Sequence, residues 1–599
     1  MDQLDLLNPE QKAAVTHEGG HLLVLAGAGS GKTRVLTQRA AWLIQNNKVK
    51  AEEMVLLTFT NKAASEMKER IIQISNEKPW FAGTFHSFGA KVLRNEGRAI
   101  GIDPNFVIYD TVDQKEAIAD IMKELNLNPE IYAPAVIYDL IEEAKTGHVS
   151  PMQFGEYARG DLQQKAFLVY KKYDEYLRES NALDFNDLLI KTVDLLIKRK
   201  DAWNERLGHV FVDEWQDTNK IQYQMTQLLL GQRAHITAVG DASQSIYSWR
   251  GADFRNVTKL SRDYPTITTL NLSQNYRSSK VIIEAANAVI SKNNSHPVLS
   301  LWTENDRGQR IKIYKADSGI SEAAYIAGKI KELLQVGYSL SEFAILYRAN
   351  AQSRVIEEAL LHAGLPYKLI GGLRFYERAE IKDLLSYMRL IENPKDSVSL
   401  IRIEKIGKKR KQAFEKFQEG ANKQMATIDL LDGIIAATTY TEKYSRPTEE
   451  NMAKLENIKE LRSVASEFPV LSEFLENVSL ISAQEAASSE NKESVTMMTI
   501  HAAKGLEFGV VFIPGMEEGM FPHSRSIWDT DQLEEERRLA YVALTRAKEI
   551  LYITYAQSRL LYGQRVSNPP SRFIADIPTE LIDTSDNYVD QPRHYYEFD

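Results

Sequence analysis

The sequence predicts an α/β protein: two cores with parallel sheets, each carrying a mainly helical insertion. Three observations lead there. A chain of 599 residues is too long for one hydrophobic core, and that length suggests about three to five structural units. Short apolar runs rich in Val, Ile and Leu alternate with longer amphipathic stretches, the pattern of buried parallel strands between helices. Residues 95–184 and 378–484 lack this beat and are dominated by helical patterns with Lys, Glu and Leu.

The apolar runs are His21–Ala26, Met54–Phe59, His209–Asp213 and Ile236–Gly240 in the first core, then Phe343–Tyr347, Val510–Ile513 and Ile550–Tyr555 in the second. The first core is expected over 1–94 and 185–276, with its insertion at 95–184. The second is expected over 277–377 and 485–583, with its insertion at 378–484, bounded by the turn Asn393-Pro394 and the polar stretch Ser488–Ser494. Residues 584–599, acidic and rich in Tyr, are expected to form a loose tail.

Hydrophobic content of 43% and charged content of 26% are those of an ordinary globular protein. There is no cysteine, which excludes disulfides, thiolate zinc sites and cysteine nucleophiles. Met1–Gln11 has neither the basic start nor the apolar stretch of a signal peptide, and no run approaches the roughly 20 apolar residues of a membrane span. A soluble cytoplasmic protein is expected. The net charge of −9 neither signals nor forbids nucleic-acid binding, because a local basic groove matters more than the total.

Ala26-Gly27-Ala28-Gly29-Ser30-Gly31-Lys32-Thr33 lies between an apolar run and the helical run Arg34–Gln45. A strand, a glycine-rich loop and a helix N-terminus present backbone N–H groups to phosphate oxygens. Lys32 would neutralise the β- and γ-phosphates of ATP and Thr33 would ligate Mg²⁺. The opening Ala26, where Gly is usual, is a modest departure. Val210-Phe211-Val212-Asp213-Glu214 supplies the carboxylates such a loop needs: Asp213 to hold Mg²⁺ through water, Glu214 to accept a proton from the attacking water. An Asp-Glu pair alone is usually a solvated strand end. Paired with Lys32-Thr33 it becomes a hydrolytic site.

With these residues in place the chain resembles the superfamily 1A DNA helicases of the UvrD/PcrA/Rep family, from Leu7 to about Leu581 except for a poor stretch near 400–450. The ordered segments are Leu7–Gln11, Thr58–Ala64, Gly83–Ser87, Asp213–Asp217 (Trp215 where Phe or Tyr is usual), Gly240–Gly251, Asn275–Ser278, Thr499–Phe508 and Glu535–Ala547. The resemblance implies two RecA-like cores and an ATP-dependent 3′→5′ helicase acting on single strands and single-strand/duplex junctions. It further implies DNA repair or replication, with proteins of those pathways as partners, in a bacterial-type, nucleoid-associated setting without a membrane. It assigns Gln11 to the adenine, Arg34 and Tyr276 to a sandwich around that base, and Glu507 to the ribose. Gln244, Arg277 and Arg546 would reach the γ-phosphate, the two arginines coming from the second core so that closure on ATP completes the site.

A single strand is gripped by aromatic stacking and backbone electrostatics. Phe59, Tyr247 and Trp249 fall in loops beside the nucleotide motifs and are candidates for stacking, with packing between the cores as the alternative. Lys62, Arg250 and His523 are candidate phosphate contacts, and His86 falls within the second DNA-contact segment.

A small-molecule kinase would not need Arg277, Arg546 or the aromatic loops, and a non-catalytic clamp predicts a broken Lys32, Glu214 or Arg546. A helicase–nuclease fusion is not expected, because the sequence runs only a short way past Pro570–Phe573. A translocase that displaces proteins and unwinds poorly stays open. The second insertion looks shortened: where the family carries a Gly-Ile-Gly hairpin that holds duplex, this chain reads Arg402–Lys411 with only Gly407. Lys405, Lys408, Lys409, Arg410 and Lys411 there form either a solvated helix face or a phosphate contact to duplex.

Overall fold

The computed structural model describes residues 3–587 apart from 130, 232, 423, 447, 479–492 and 562–563. The chain divides into two compact units, Met1–Asn275 with His296–Leu299, and Tyr276–Ser295 with Ser300–Asp599. Each is a parallel α/β core carrying a helical region. Among the described residues no helix is long and apolar enough to cross a membrane.

The first unit contains β1 (Leu22–Ala26), β2 (Met54–Thr58), β3 (Phe81–Thr84), β4 (Val107–Tyr109), β5 (Ala182–Asp184), β6 (His209–Val212), β7 (His235–Gly240) and β8 (Thr268–Leu272). Six of them form one sheet in the order β3-β2-β6-β7-β1-β8, every pairing parallel. Successive side chains of a strand point to opposite faces, and both faces here are covered. Val55 and Leu57 join one core cluster while Met54 and Leu56 join the other; Val210 and Val212 part from Phe211 in the same way. That is why these strands read as unbroken apolar runs. Truncating Leu56, which is fully buried, to Ala would cost about 2–5 kcal/mol.

Helices Thr111–Glu124, Pro134–Thr146, Pro151–Tyr157 and Gly160–Glu179 pack with the short parallel pair β4–β5. They enclose their own core, including Ile118, Ile121, Ile141, Val169 and Tyr173. Lys145 is buried and ion-paired with Asp184 and, at 2.8 Å, with Asp187. Asp184 caps the helix Phe185–Lys198, so one ammonium fastens the helical region to the core helix that follows.

The second unit contains β9 (Ile311–Ser318), β10 (Phe343–Tyr347), β11 (Tyr367–Ile370), β12 (Val495–Thr499), β13 (Phe508–Ile513), β14 (Ala547–Leu561), β15 (Gln564–Val566) and β16 (Ile582–Asp583). The sheet order is β11-β12-β10-β13-β14-β9-β16, all parallel, with β15 antiparallel on the far end of β14. Helices Ala379–Glu392, Ser397–Ile406, Lys408–Gly420, Thr427–Thr438 and Glu449–Glu467 gather around a separate core that includes Leu384, Tyr387, Leu431 and Leu461. Residues 479–484 of the expected second insertion, 488–492 of the polar stretch and 588–599 of the expected tail lie outside the described residues.

Candidate functional site

In an open parallel sheet the carboxyl ends of the strands converge on one edge, where ligands bind. In the first unit that edge gathers Gly27–Thr33 after β1, Phe59–Lys62 after β2, Phe85 and His86 after β3, Asp213 and Glu214 after β6, Asp241–Arg250 after β7, and Ser273–Asn275 after β8.

Gly29 and Gly31 have φ of 66° and 84°, a left-handed backbone that favours glycine. Gly31 stands at the N-cap of helix Lys32–Gln45 without a side-chain cap, so the first N–H groups of a 14-residue helix remain for an anion. Ser30 Oγ donates to the Gly27 carbonyl at 2.9 Å, and Asn275 Nδ2 donates to the Ala28 carbonyl at 2.7 Å, fixing the loop against the end of β8. The Lys32 Nζ is buried, has no hydrogen-bond partner among the described residues, and lies 3.7 Å from Glu214 Oε1. A buried ammonium without hydrogen bonds is costly unless an anion completes it.

Asp213 is buried, accepting from Glu214 N at 3.0 Å and from Thr33 Oγ1 at 3.4 Å. Burial, then the neighbouring Glu214, pushes its carboxyl up to about 7, against the pull of Lys32. Glu214 has φ 51°, which for a non-glycine residue costs about 1–3 kcal/mol and marks a constrained position. Gln216 holds it there: Nε2 donates to Glu214 Oε2 at 2.5 Å, and Oε1 accepts from Asp241 N at 2.9 Å. A Cβ on Gly240 would come within 2.7 Å of that same Oε1, so glycine is needed for the approach. Gln244 Nε2 donates to Asp241 Oδ2 at 2.7 Å, and burial raises the Asp241 carboxyl. The carboxylates of Asp213 and Glu214 and the Thr33 hydroxyl thus gather beside Lys32. That donor set fits Mg²⁺, which takes one or two carboxylates and completes its shell with substrate phosphates and water.

Other expected nucleotide contacts have different partners here. The Gln11 amide is buried, donating to Ser30 O at 2.9 Å and accepting from Asn8 N at 3.3 Å. Arg34 is exposed and donates to Leu6 O at 3.1 Å. In the second unit Tyr276 is exposed, Arg277 Nε donates to Glu507 Oε2 at 2.6 Å, and Lys548 pairs with Glu507 at 2.9 Å. Burial pushes the Glu507 carboxyl up, but these cations hold it below the usual range. Arg546 is buried, donating to the carbonyls of Val542 and Leu506 at 3.0 and 3.1 Å.

Trp249 is 45% exposed, with the exposed Arg250 guanidinium 4.4 Å over its ring and Tyr247 edge-on at 6.4 Å. Tyr247 is half-buried, which pushes its hydroxyl up to about 12. Phe59 is half-buried against the core, 6.0 Å from Phe85. Lys62 is exposed at the start of helix Asn61–Ser75. His86 is half-buried beside Phe185, and burial lowers its imidazole, so it is neutral near pH 7. His523, in the second unit, pairs with Glu456 at 2.9 Å. Gln216 and Asn275 had no role from the sequence. Their signal was present only as neighbours of Glu214 and Tyr276.

A phosphate loop and an acid pair side by side on a parallel sheet define a P-loop nucleoside-triphosphate hydrolase. The sequence model described as the UvrD/REP helicase N-terminal domain matches residues 7–265, and that of the UvrD-like helicase C-terminal domain matches 270–454 and 435–558. The ATP-dependent DNA helicase PcrA of Bacillus subtilis is 41% identical over 638 aligned positions, covering 96% of this chain and 86% of the relative. PcrA of Staphylococcus aureus is 39% identical, over 97% of this chain and 87% of its own. The chain belongs to the UvrD/PcrA family of superfamily 1A helicases.

Proposed function

We propose that this protein is an ATP-dependent DNA helicase that moves 3′→5′ along single strands and unwinds duplex, in DNA repair or replication. The observation that carries the chemistry is the buried, unbonded Nζ of Lys32 in a loop held open by Gly29 and Gly31. Family membership supplies the DNA.

ATP phosphates take the Lys32 ammonium and the N–H groups of the loop. Thr33 and Asp213 would hold Mg²⁺, which would supply charge neutralisation for the phosphates. Glu214, released from Lys32 and oriented by Gln216, accepts the proton of the attacking water. Gln244, Arg277 and Arg546 answer the charge of the terminal phosphate, Arg277 giving up Glu507 and Arg546 its carbonyls to do so. Gln11, Arg34, Tyr276 and Glu507 are assigned to adenine and ribose. Trp249, Tyr247 and Phe59 stack on bases, and Lys62, His86, Arg250 and His523 meet the backbone.

The test is unwinding of duplexes with 3′ or 5′ tails in the presence of ATP. Unwinding of the 3′-tailed substrate alone is expected. Unwinding of the 5′-tailed one alone reverses the polarity, and no stimulation of ATP hydrolysis by single strands overturns the function. One observation favours a second reading, a translocase that clears proteins and unwinds poorly. The Bacillus match spans 638 positions against a chain of 599 residues, so the relative carries internal residues that this chain lacks.

A further inference from the structure

His523 is assigned above to the DNA backbone, yet both nitrogens of its ring are engaged. The Arg525 N–H donates to Nδ1 at 3.3 Å, and Nε2 lies 2.9 Å from Glu456 Oε1. Nδ1 faces the Arg525 N–H and Nε2 faces the carboxylate, so the ring has no donor left for a phosphate. The two residues come from different elements. Glu456 is on helix Glu449–Glu467 of the helical region. His523 is on the loop after β13, where its N–H donates to Glu536 Oε2 at 3.1 Å; Glu536 in turn is held by Arg348 at 2.6 Å. The loop is thus anchored by its backbone whatever the imidazole does, and only the side chain is free to change partner. Burial pushes the Glu456 carboxyl up, but the bond from His523 and the charges of Arg348 and Arg525 help outweigh it, so Glu456 stays ionised.

The pair lies on the wall of a cavity of about 860 Å³ that also exposes Glu460, Glu467 and Met520. A phosphate oxygen and the Glu456 carboxylate want the same Nε2–H. Both are anions, so they cannot share it.

We propose that Glu456 is a latch on the second unit's single-strand contact: DNA binds there by displacing Glu456 from His523, and the helical region thereby tunes the grip. This rests on the assignment of His523 to the backbone. Glu456 acts through His523 and is a positioning residue.

The experiment is binding of a fluorescent oligothymidylate without nucleotide, at fixed salt, to the whole chain and to Glu456→Ala, Glu456→Gln, His523→Ala and Glu456→Ala/His523→Ala. Glu467→Gln controls for loss of an acidic group from the same cavity wall. Loss of the latch should tighten binding about three- to fivefold, the scale of one net hydrogen bond. The gain should vanish in the His523→Ala background and be absent in Glu467→Gln. No gain in the Glu456 variants overturns the proposal. So does an equal gain without His523 or in Glu467→Gln, which makes the effect bulk charge. If Glu456→Ala does not fold, Glu456→Gln, which keeps the shape, decides on the same criteria. Stimulation of wild-type ATP hydrolysis by single strands separates the two failures: its absence sinks the helicase reading, and its presence with inert Glu456 variants sinks only the latch.

Discussion

Lys32 and Glu214 lie 3.7 Å apart, yet their loss should have different consequences. Glu214→Gln keeps the shape and removes the proton acceptor, so ATP and single strands should bind nearly as in wild type while hydrolysis becomes extremely slow. Lys32→Ala removes the only cation in the loop and should weaken nucleotide binding as well; near-wild-type turnover in Glu214→Gln would remove it as the base. Asp213 permits a test by pH. Its folded carboxyl is raised to about 7, far above the usual carboxylate value, so the folded state binds the proton more tightly than the unfolded chain. Stability of the nucleotide-free protein is therefore lost as pH rises through about 4 to 7, with the full penalty above that window. Asp213→Asn, which cannot ionise, should gain melting temperature over wild type at pH 8 and lose that advantage near pH 4. An advantage independent of pH would show that burial does not set this carboxyl. Trp215, where a smaller aromatic is usual in the family, donates its indole N–H to Asn256 O at 2.9 Å, a bond worth about 1 kcal/mol that Phe could not make.

Among the elements, helix Lys408–Gly420 places Lys408, Lys409, Arg410 and Lys411 in its first turn, against the helix dipole. The geometry divides the cluster. Lys411 is tied to Glu404 at 2.7 Å and Arg410 is half-buried, whereas Lys408 and Lys409 are exposed. If the cluster meets duplex phosphates, replacing all four with Ala should lower the salt slope of tailed-duplex binding by about 2 rather than about 4, at about 1 per phosphate contact. Salt titration on tailed duplex and bare strand checks it, and an unchanged slope returns the cluster to a solvated face. Legibility also varied by element. Central strands β1, β2, β6 and β7 were plain in the sequence because both faces are buried. Edge strand β8, Thr-Thr-Leu-Asn-Leu, buries only its last residue fully, and edge strand β3 is four residues with a glycine, so neither leaves an apolar run. The phosphate loop and acid pair were legible because their chemistry is local in sequence. Gln216 reaching Asp241, Asn275 reaching Ala28 and Glu456 reaching His523 join residues 25, 247 and 67 positions apart, which no local pattern encodes.

For the whole molecule the question is whether tracking along a strand and opening of duplex are separable, since a net charge of −9 forces DNA contacts into local patches. Trp249, 45% exposed under Arg250, belongs to the first unit's strand edge, while the Lys408–Lys411 turn belongs to the second unit's helical region. Trp249→Ala should lose about 1–3 kcal/mol of stacking per affected base, leave ATP hydrolysis without DNA little altered, and depress both DNA stimulation and translocation on a bare strand. The four-residue replacement should leave translocation on a bare strand intact and reduce unwinding of a tailed duplex alone. Translocation followed by arrival at a labelled end, and unwinding followed by strand release, measure the two separately. A Trp249→Ala protein that translocates as wild type would place that indole in packing rather than on the DNA. A basic-turn variant that loses both activities together would show that this helical region serves the strand itself, because a contact made only to duplex cannot slow movement where there is no duplex.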